Sequence, residues 1–112
     1  MRAFVDQFNS PWLQAHFDTG NVMHSGYPQD WILTLGSRIK RVHIKDRKAS
    51  PQAEQARPSA LLEGDVDWKE VMAAFRKVGY RGFLSPEIGH DPNDARQLER
   101  VSKALDKIVA MA

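Results

Sequence analysis

Three short runs in this 112-residue chain alternate apolar with polar side chains, and stretches of helical periodicity separate them. In the first run Leu13, Ala15 and Phe17 fall on one side, while Gln14, His16 and Asp18 fall on the other. In the second, Val42 and Ile44 oppose Arg41, His43 and Lys45. In the third, Leu84, Pro86 and Ile88 oppose Phe83, Ser85 and Glu87. Strands separated by helices pair in parallel through right-handed crossovers. Parallel strands covered on both faces read as near-continuous apolar runs, and these do not. One side of the expected sheet therefore lies under helices. The other is polar and ionisable, and it either faces water or lines the lumen of a barrel whose remaining wall is not in this chain.

The intervening segments complete an α-β-α-β-α-β-α order. Phe4, Val5 and Phe8 predict the last turns of a helix that Asn9-Ser10-Pro11 ends. Trp12 to Asp18 reads as a strand and Thr19 to Tyr27 as a loop. Pro28 opens a helix carrying Trp31, Ile32 and Leu35, which Gly36 stops. Ile39 to Lys45 is the second strand. Residues 47–64, rich in Pro, Ala, Gln and Ser, read as one long flexible loop. Asp67 and Glu70 form a capping box before a helix with Val71, Met72, Phe75 and Val78 on one face, ending at Gly79. Gly82 to Ile88 is the third strand. Asp91-Pro92 or Asp94 then opens a helix with Leu98, Val101, Leu105, Ile108 and Val109 on its apolar face.

Length turns this pattern into a constraint. The chain suffices for one domain, residues 1–112, yet a closed eight-stranded α/β barrel takes about 250 residues. Other classes fall away. There is no cysteine, hence no disulfide framework, thiolate metal site or thiol nucleophile. No run approaches the ~18 apolar residues of a membrane span, and the first twenty residues lack a signal-peptide core. The expected setting is cytoplasmic, without a membrane partner. The net charge is only +2, and with no long basic stripe the chain is not expected to bind nucleic acid. Arg38, Lys40, Arg41, Lys45, Arg47 and Lys48 cluster, either as a solvated strand end or as a phosphate contact.

The polar side carries the chemistry. Towards the end of each strand it carries a residue of metal-ligating type: Asp18, His43 and Glu87. Each sits at or near the C-terminal end of its strand, where catalytic groups gather in α/β sheets and barrels. Two carboxylates and an imidazole without sulfur suit Mn²⁺, Mg²⁺, Co²⁺ or Zn²⁺. Lys45 shares the parity of His43, and is either a substrate-binding group or a lysine extending to the surface. His16, one layer below Asp18, is expected to support the ligands rather than join them. His24 lies in the loop after the first strand, and His90 follows Glu87 by three residues.

The motifs His16-Phe17-Asp18-Thr19-Gly20-Asn21, Gly26-Tyr27-Pro28, Asp30-Trp31-Ile32, Leu35-Gly36 and Val42-His43-Ile44-Lys45-Asp46 occur in order. Gly64-Asp65-Val66-Asp67-Trp68, Gly79-Tyr80-Arg81-Gly82-Phe83 and Glu87 complete the series. Together they resemble the C-terminal part of the sugar phosphate isomerase/epimerase family, a xylose-isomerase-like TIM barrel. That family includes ketose 3-epimerases, hydroxypyruvate isomerases and inosose dehydratases. The resemblance implies a partial TIM barrel, its last three βα units. It also implies one divalent metal held by Glu, Asp, His and Glu on successive strands, with Asp18, His43 and Glu87 as the last three. The first glutamate has no counterpart here. In family epimerases the two glutamates form the acid/base pair, so Glu87 is the catalytic member present. The implied reaction is isomerisation or epimerisation of a sugar, sugar phosphate or hydroxy-keto acid through a metal-stabilised enediolate. Lys45, Asn21 and His24 fall on the substrate side. Asn21 replaces a histidine found in related members, which argues against the multi-metal AP-endonuclease chemistry.

A different class of function competes with the enzymatic one: an inactive remnant, or an oligomerisation module. Three parallel strands leave two unpaired edges. The expected partner is accordingly either a second copy of the chain or a missing N-terminal half-barrel.

Overall fold

The computed structural model describes residues 1–49 and 56–112. It places three parallel strands in one sheet: β1 (Ala15–Asp18), β2 (Ile39–Ile44) and β5 (Leu84–Pro86), in the order β1-β2-β5. Four α-helices alternate with them: α1 (Arg2–Gln7), α2 (Pro28–Leu35), α3 (Trp68–Lys77) and α4 (Gln97–Val109). This is the α/β architecture of a partial barrel. Phe17 lies beside Val42 and Val42 beside Leu84, so this parity faces the helices. Phe17, Val42 and Ile44 bury completely there against Ile32, Leu35, Val71, Phe75 and Ile108. Apolar burial of this layer is the main stabilising term of the fold.

Helix ends follow the local chemistry of the sequence. Pro28 sits in the first turn of α2, and Gly36, at φ 55°, terminates it. The Asp67 side chain accepts from the Glu70 N–H at 3.1 Å and caps α3. Gly79, at φ 71°, closes α3 in the left-handed conformation that glycine adopts without strain.

The structure corrects several boundaries. The first strand starts at Ala15 rather than Trp12, because Trp12 N–H bonds the Ser10 hydroxyl and Gln14 folds back on the Pro11 carbonyl. The third runs only Leu84–Pro86, although Glu87 N–H continues the ladder to the Ile44 carbonyl. The last helix begins at Gln97 rather than near Asp91 or Asp94. Asp91 and Asp94 side chains there accept from the N–H groups of Asn93 and Arg96, holding turns in place of helix. The region read as one loop over 47–64 contains nearly all of a paired element. Strands β3 (Asp46–Lys48) and β4 (Arg57–Ser59) form an antiparallel ribbon. The tip of that loop, residues 50–55, lies outside the described residues. No helix among the described residues is long and apolar enough to cross a membrane.

Candidate metal centre

The sheet register brings the site together. Asp18 pairs directly with His43, and His43 with Ser85, on the face turned away from the helices. Asp18 is the last residue of β1, His43 the penultimate residue of β2, and Glu87 immediately follows β5. Ligand-type atoms of Asp18, His43 and Glu87 all lie within 4.8 Å of one another. His43 Nδ1 stands 3.4 Å from Glu87 Oε2 and 4.0 Å from Asp18 Oδ2.

Each donor is oriented by its surroundings. Asp18 Oδ1 accepts from the backbone N–H groups of Gly20 (2.9 Å) and Asn21 (2.7 Å), which fixes the carboxylate. Its other oxygen, Oδ2, is buried and has no hydrogen-bond partner. A desolvated carboxylate oxygen without a donor is unfavourable unless a cation serves it. The Lys45 ammonium, 3.6 Å away, stands beyond hydrogen-bond reach of Oδ2, so the oxygen fits a metal ligand, as does the oxygen–nitrogen donor set around it. His16 is exposed and packs edge-to-face on His43, with ring centroids 4.1 Å apart. That contact limits rotation of the His43 ring and places His16 beside the Asp18, His43 and Glu87 group.

Lys45 enters the same space. Its Nζ is 2.7 Å from Glu87 Oε2 and 3.6 Å from Asp18 Oδ2. The Lys45 ammonium, above all, with His43 beside it, holds the Glu87 carboxyl down to about 2. Glu87 is thus an anionic donor while Lys45 lies on it. Asn21 is exposed, and its Oδ1 accepts from Lys45 Nζ (3.4 Å) and Arg47 (3.2 Å). His24 ends the 3-10 turn Asn21–His24, exposed, and takes no part in the ion pairs of the group. His90 is likewise exposed.

Sequence reasoning passed over the residues that support this centre. Thr19, wholly buried, accepts from Lys45 N–H (2.9 Å) and donates to its carbonyl (2.7 Å), locking the ends of β1 and β2 together. Asp46 is 1% exposed and accepts from the N–H groups of Arg47, Leu62, Gly64 and Val66 and from Trp68 Nε1. A Cβ on Gly64 would lie 2.0 Å from Asp46 Oδ1. In the sequence, Asp46, Gly64 and Trp68 stand out only as members of the ordered motifs.

Residues 1–108 match the family described as xylose isomerase-like TIM barrel. The chain belongs to that family. An inosose dehydratase of Mesomycoplasma hyopneumoniae is 34% identical over 107 residues, 80% of this chain and 35% of the relative. The D-allulose 3-epimerase of a Methylomonas species superposes with a TM-score of 0.71 at 25% identity, over 98% of this chain and 41% of the epimerase. The IOLI protein, described with a bound zinc atom, superposes with a TM-score of 0.77 at 16% identity, over 97% and 42% of the two chains. The chain thus spans well under half the length of the proteins it matches. The proteins it resembles include a dehydratase and an epimerase.

Proposed function

We propose that this chain supplies the metal-holding side of a site that removes a proton beside the carbonyl of a sugar or polyol-derived ketone. The observation that carries this reading is the convergence of Asp18, His43 and Glu87 at the ends of three adjacent parallel strands, with Asp18 Oδ2 left without a donor. These three side chains would hold a divalent ion (Mn, Mg, Co or Zn), which would supply Lewis acidity to a carbonyl. Asp18 presents Oδ2, and His43 presents Nδ1. Glu87 takes the proton through a carboxylate oxygen. Lys45 Nζ, supported by Asn21, donates to the substrate oxygen on which charge develops. Returning the proton on another face gives an isomerase or epimerase. That step requires a second acid/base group, the glutamate that the resemblance assigns to a strand outside this sequence. The 34% identity to an inosose dehydratase favours a second reading, in which the same proton loss expels a neighbouring hydroxyl as water.

The partner in this reading is the remaining wall of the barrel, whose strands cover the open polar face and both sheet edges. Two measurements test the proposal. Isothermal titration with Mn²⁺ and Zn²⁺ is expected to show binding that Asp18→Ala, His43→Ala and Glu87→Ala each weaken by about tenfold or more. Negligible binding by every form removes the metal centre. In the completed barrel, deuterium exchange beside the carbonyl of a ketose or an inosose is expected to need the metal and to vanish in Glu87→Gln. Water release from the inosose alone selects the dehydratase reading.

A further inference from the structure

Lys45 and a divalent cation call on the same two oxygens. Its Nζ lies 2.7 Å from Glu87 Oε2 and 3.6 Å from Asp18 Oδ2, the acidic donors of the candidate centre. An ion bonded to those oxygens approaches each to about 2.0–2.2 Å, which leaves it and the ammonium close together inside a partly buried group. Like charges at such a separation repel strongly where solvent screening is weak. The main chain of Lys45 cannot retreat, because Thr19 Oγ1 holds both its N–H and its carbonyl. Its stem lies across Gly20, where an added Cβ would come within 2.8 Å of Lys45 Cγ. Only the outer carbons are free to swing. On that arc stands Asn21 Oδ1, 3.4 Å from Nζ and on the exposed side of the group.

We propose that Lys45 is a built-in competitor for the metal, which a bound divalent ion displaces from Asp18 and Glu87 toward Asn21 and the substrate. The inference rests on the metal-centre reading above and adds a coupling to it. One residue keeps the carboxylates together in the metal-free protein and becomes available to a substrate oxygen once the ion is in place. It also explains the glycine at position 20, since a side chain there would block the path of the lysine stem.

The test is calorimetric titration of Zn²⁺ into the 112-residue chain, its Lys45→Met variant and its Lys45→Gln variant, with circular dichroism confirming the fold. Methionine keeps the apolar stem over Gly20 and removes the charge. Both variants are expected to bind zinc about tenfold more tightly than the parent chain. In the parent chain the Lys45 ε-methylene NMR signal is expected to shift as zinc is added. Equal or weaker affinity in the folded variants, with the parent still binding, overturns the competition and leaves the metal centre standing. Absence of binding in all three forms overturns both.

Discussion

Asp46 shows how much one side chain can organise. Its two oxygens serve five donors, four of them backbone N–H groups, at a position that water does not reach. Replacing it by alanine strands those donors, and each buried unpaired group costs about 1–3 kcal/mol. Asp46→Ala is therefore expected to lose about 3 kcal/mol or more in urea unfolding, and Asp46→Asn, which keeps one oxygen, less. A variant as stable as the parent would refute the assignment. The same residue marks the limit of reading side chains from sequence. Asp18, His43 and Glu87 were legible because strand alternation puts every second residue on one face, and the register does the rest. The partners of Asp46 were not, because most are main-chain groups 16–20 residues further on, in a segment without periodicity. Lys45 was legible as a group on the polar side. Its contact with both carboxylates depends on the Gly20 gap, which parity does not encode.

Among elements, legibility followed amphipathic strength and local capping. Helix α3 appears where Asp67, Glu70 and the Val71-Met72-Phe75 stripe put it, and Asp67→Ala is expected to cost about 1 kcal/mol in thermal or urea unfolding. An unchanged midpoint would show that the cap contributes nothing. Helix α4 starts late because short polar side chains compete for its first N–H groups. The β3–β4 ribbon escaped notice because each strand has three residues and one contains Pro58, so neither shows a period. Helix α1 is tied down by an ion pair that no spacing rule reveals: Arg38 donates through Nε and a terminal nitrogen to the two oxygens of Asp6, at 2.5 and 2.9 Å, from 32 residues away. Those hydrogen bonds, led by Arg38, hold the Asp6 carboxyl below its usual 3.8. A depressed carboxylate stabilises the fold above its unfolded value and loses that contribution as pH falls through the folded one. The urea midpoint of Arg38→Met is thus expected to fall below that of the parent at pH 7 and to converge on it as pH drops well below 3.8. A gap that persists in acid would assign the contact to packing of the arginine stem instead.

At the scale of the whole molecule, the surface is larger than the mass accounts for. It measures 7816 Å², against about 6,200 Å² for a compact protein of this size. The radius of gyration is 14.7 Å, where a compact chain of this length gives roughly 13 Å. Large apolar side chains are among its exposed groups. Phe83 and Trp12 are 92% and 94% exposed, Phe4 and Phe8 meet edge-to-face in the open, and Leu98 leaves the buried face of α4. Among the described residues β1 and β5 each present an unpaired edge, since β2 is the middle strand. Exposed strand edges beside exposed aromatic groups favour association with further strands. Copies of the 112-residue chain are thus expected to meet through those edges. Sedimentation velocity is accordingly expected to show concentration-dependent species larger than 12.7 kDa. Trp12→Lys with Phe83→Lys is expected to shift the distribution toward monomer without loss of helical signal. A parent chain that stays monomeric at high concentration and unfolds in one sharp transition would mean that its open flanks are solvated as they stand, and that the polar face needs no wall opposite it.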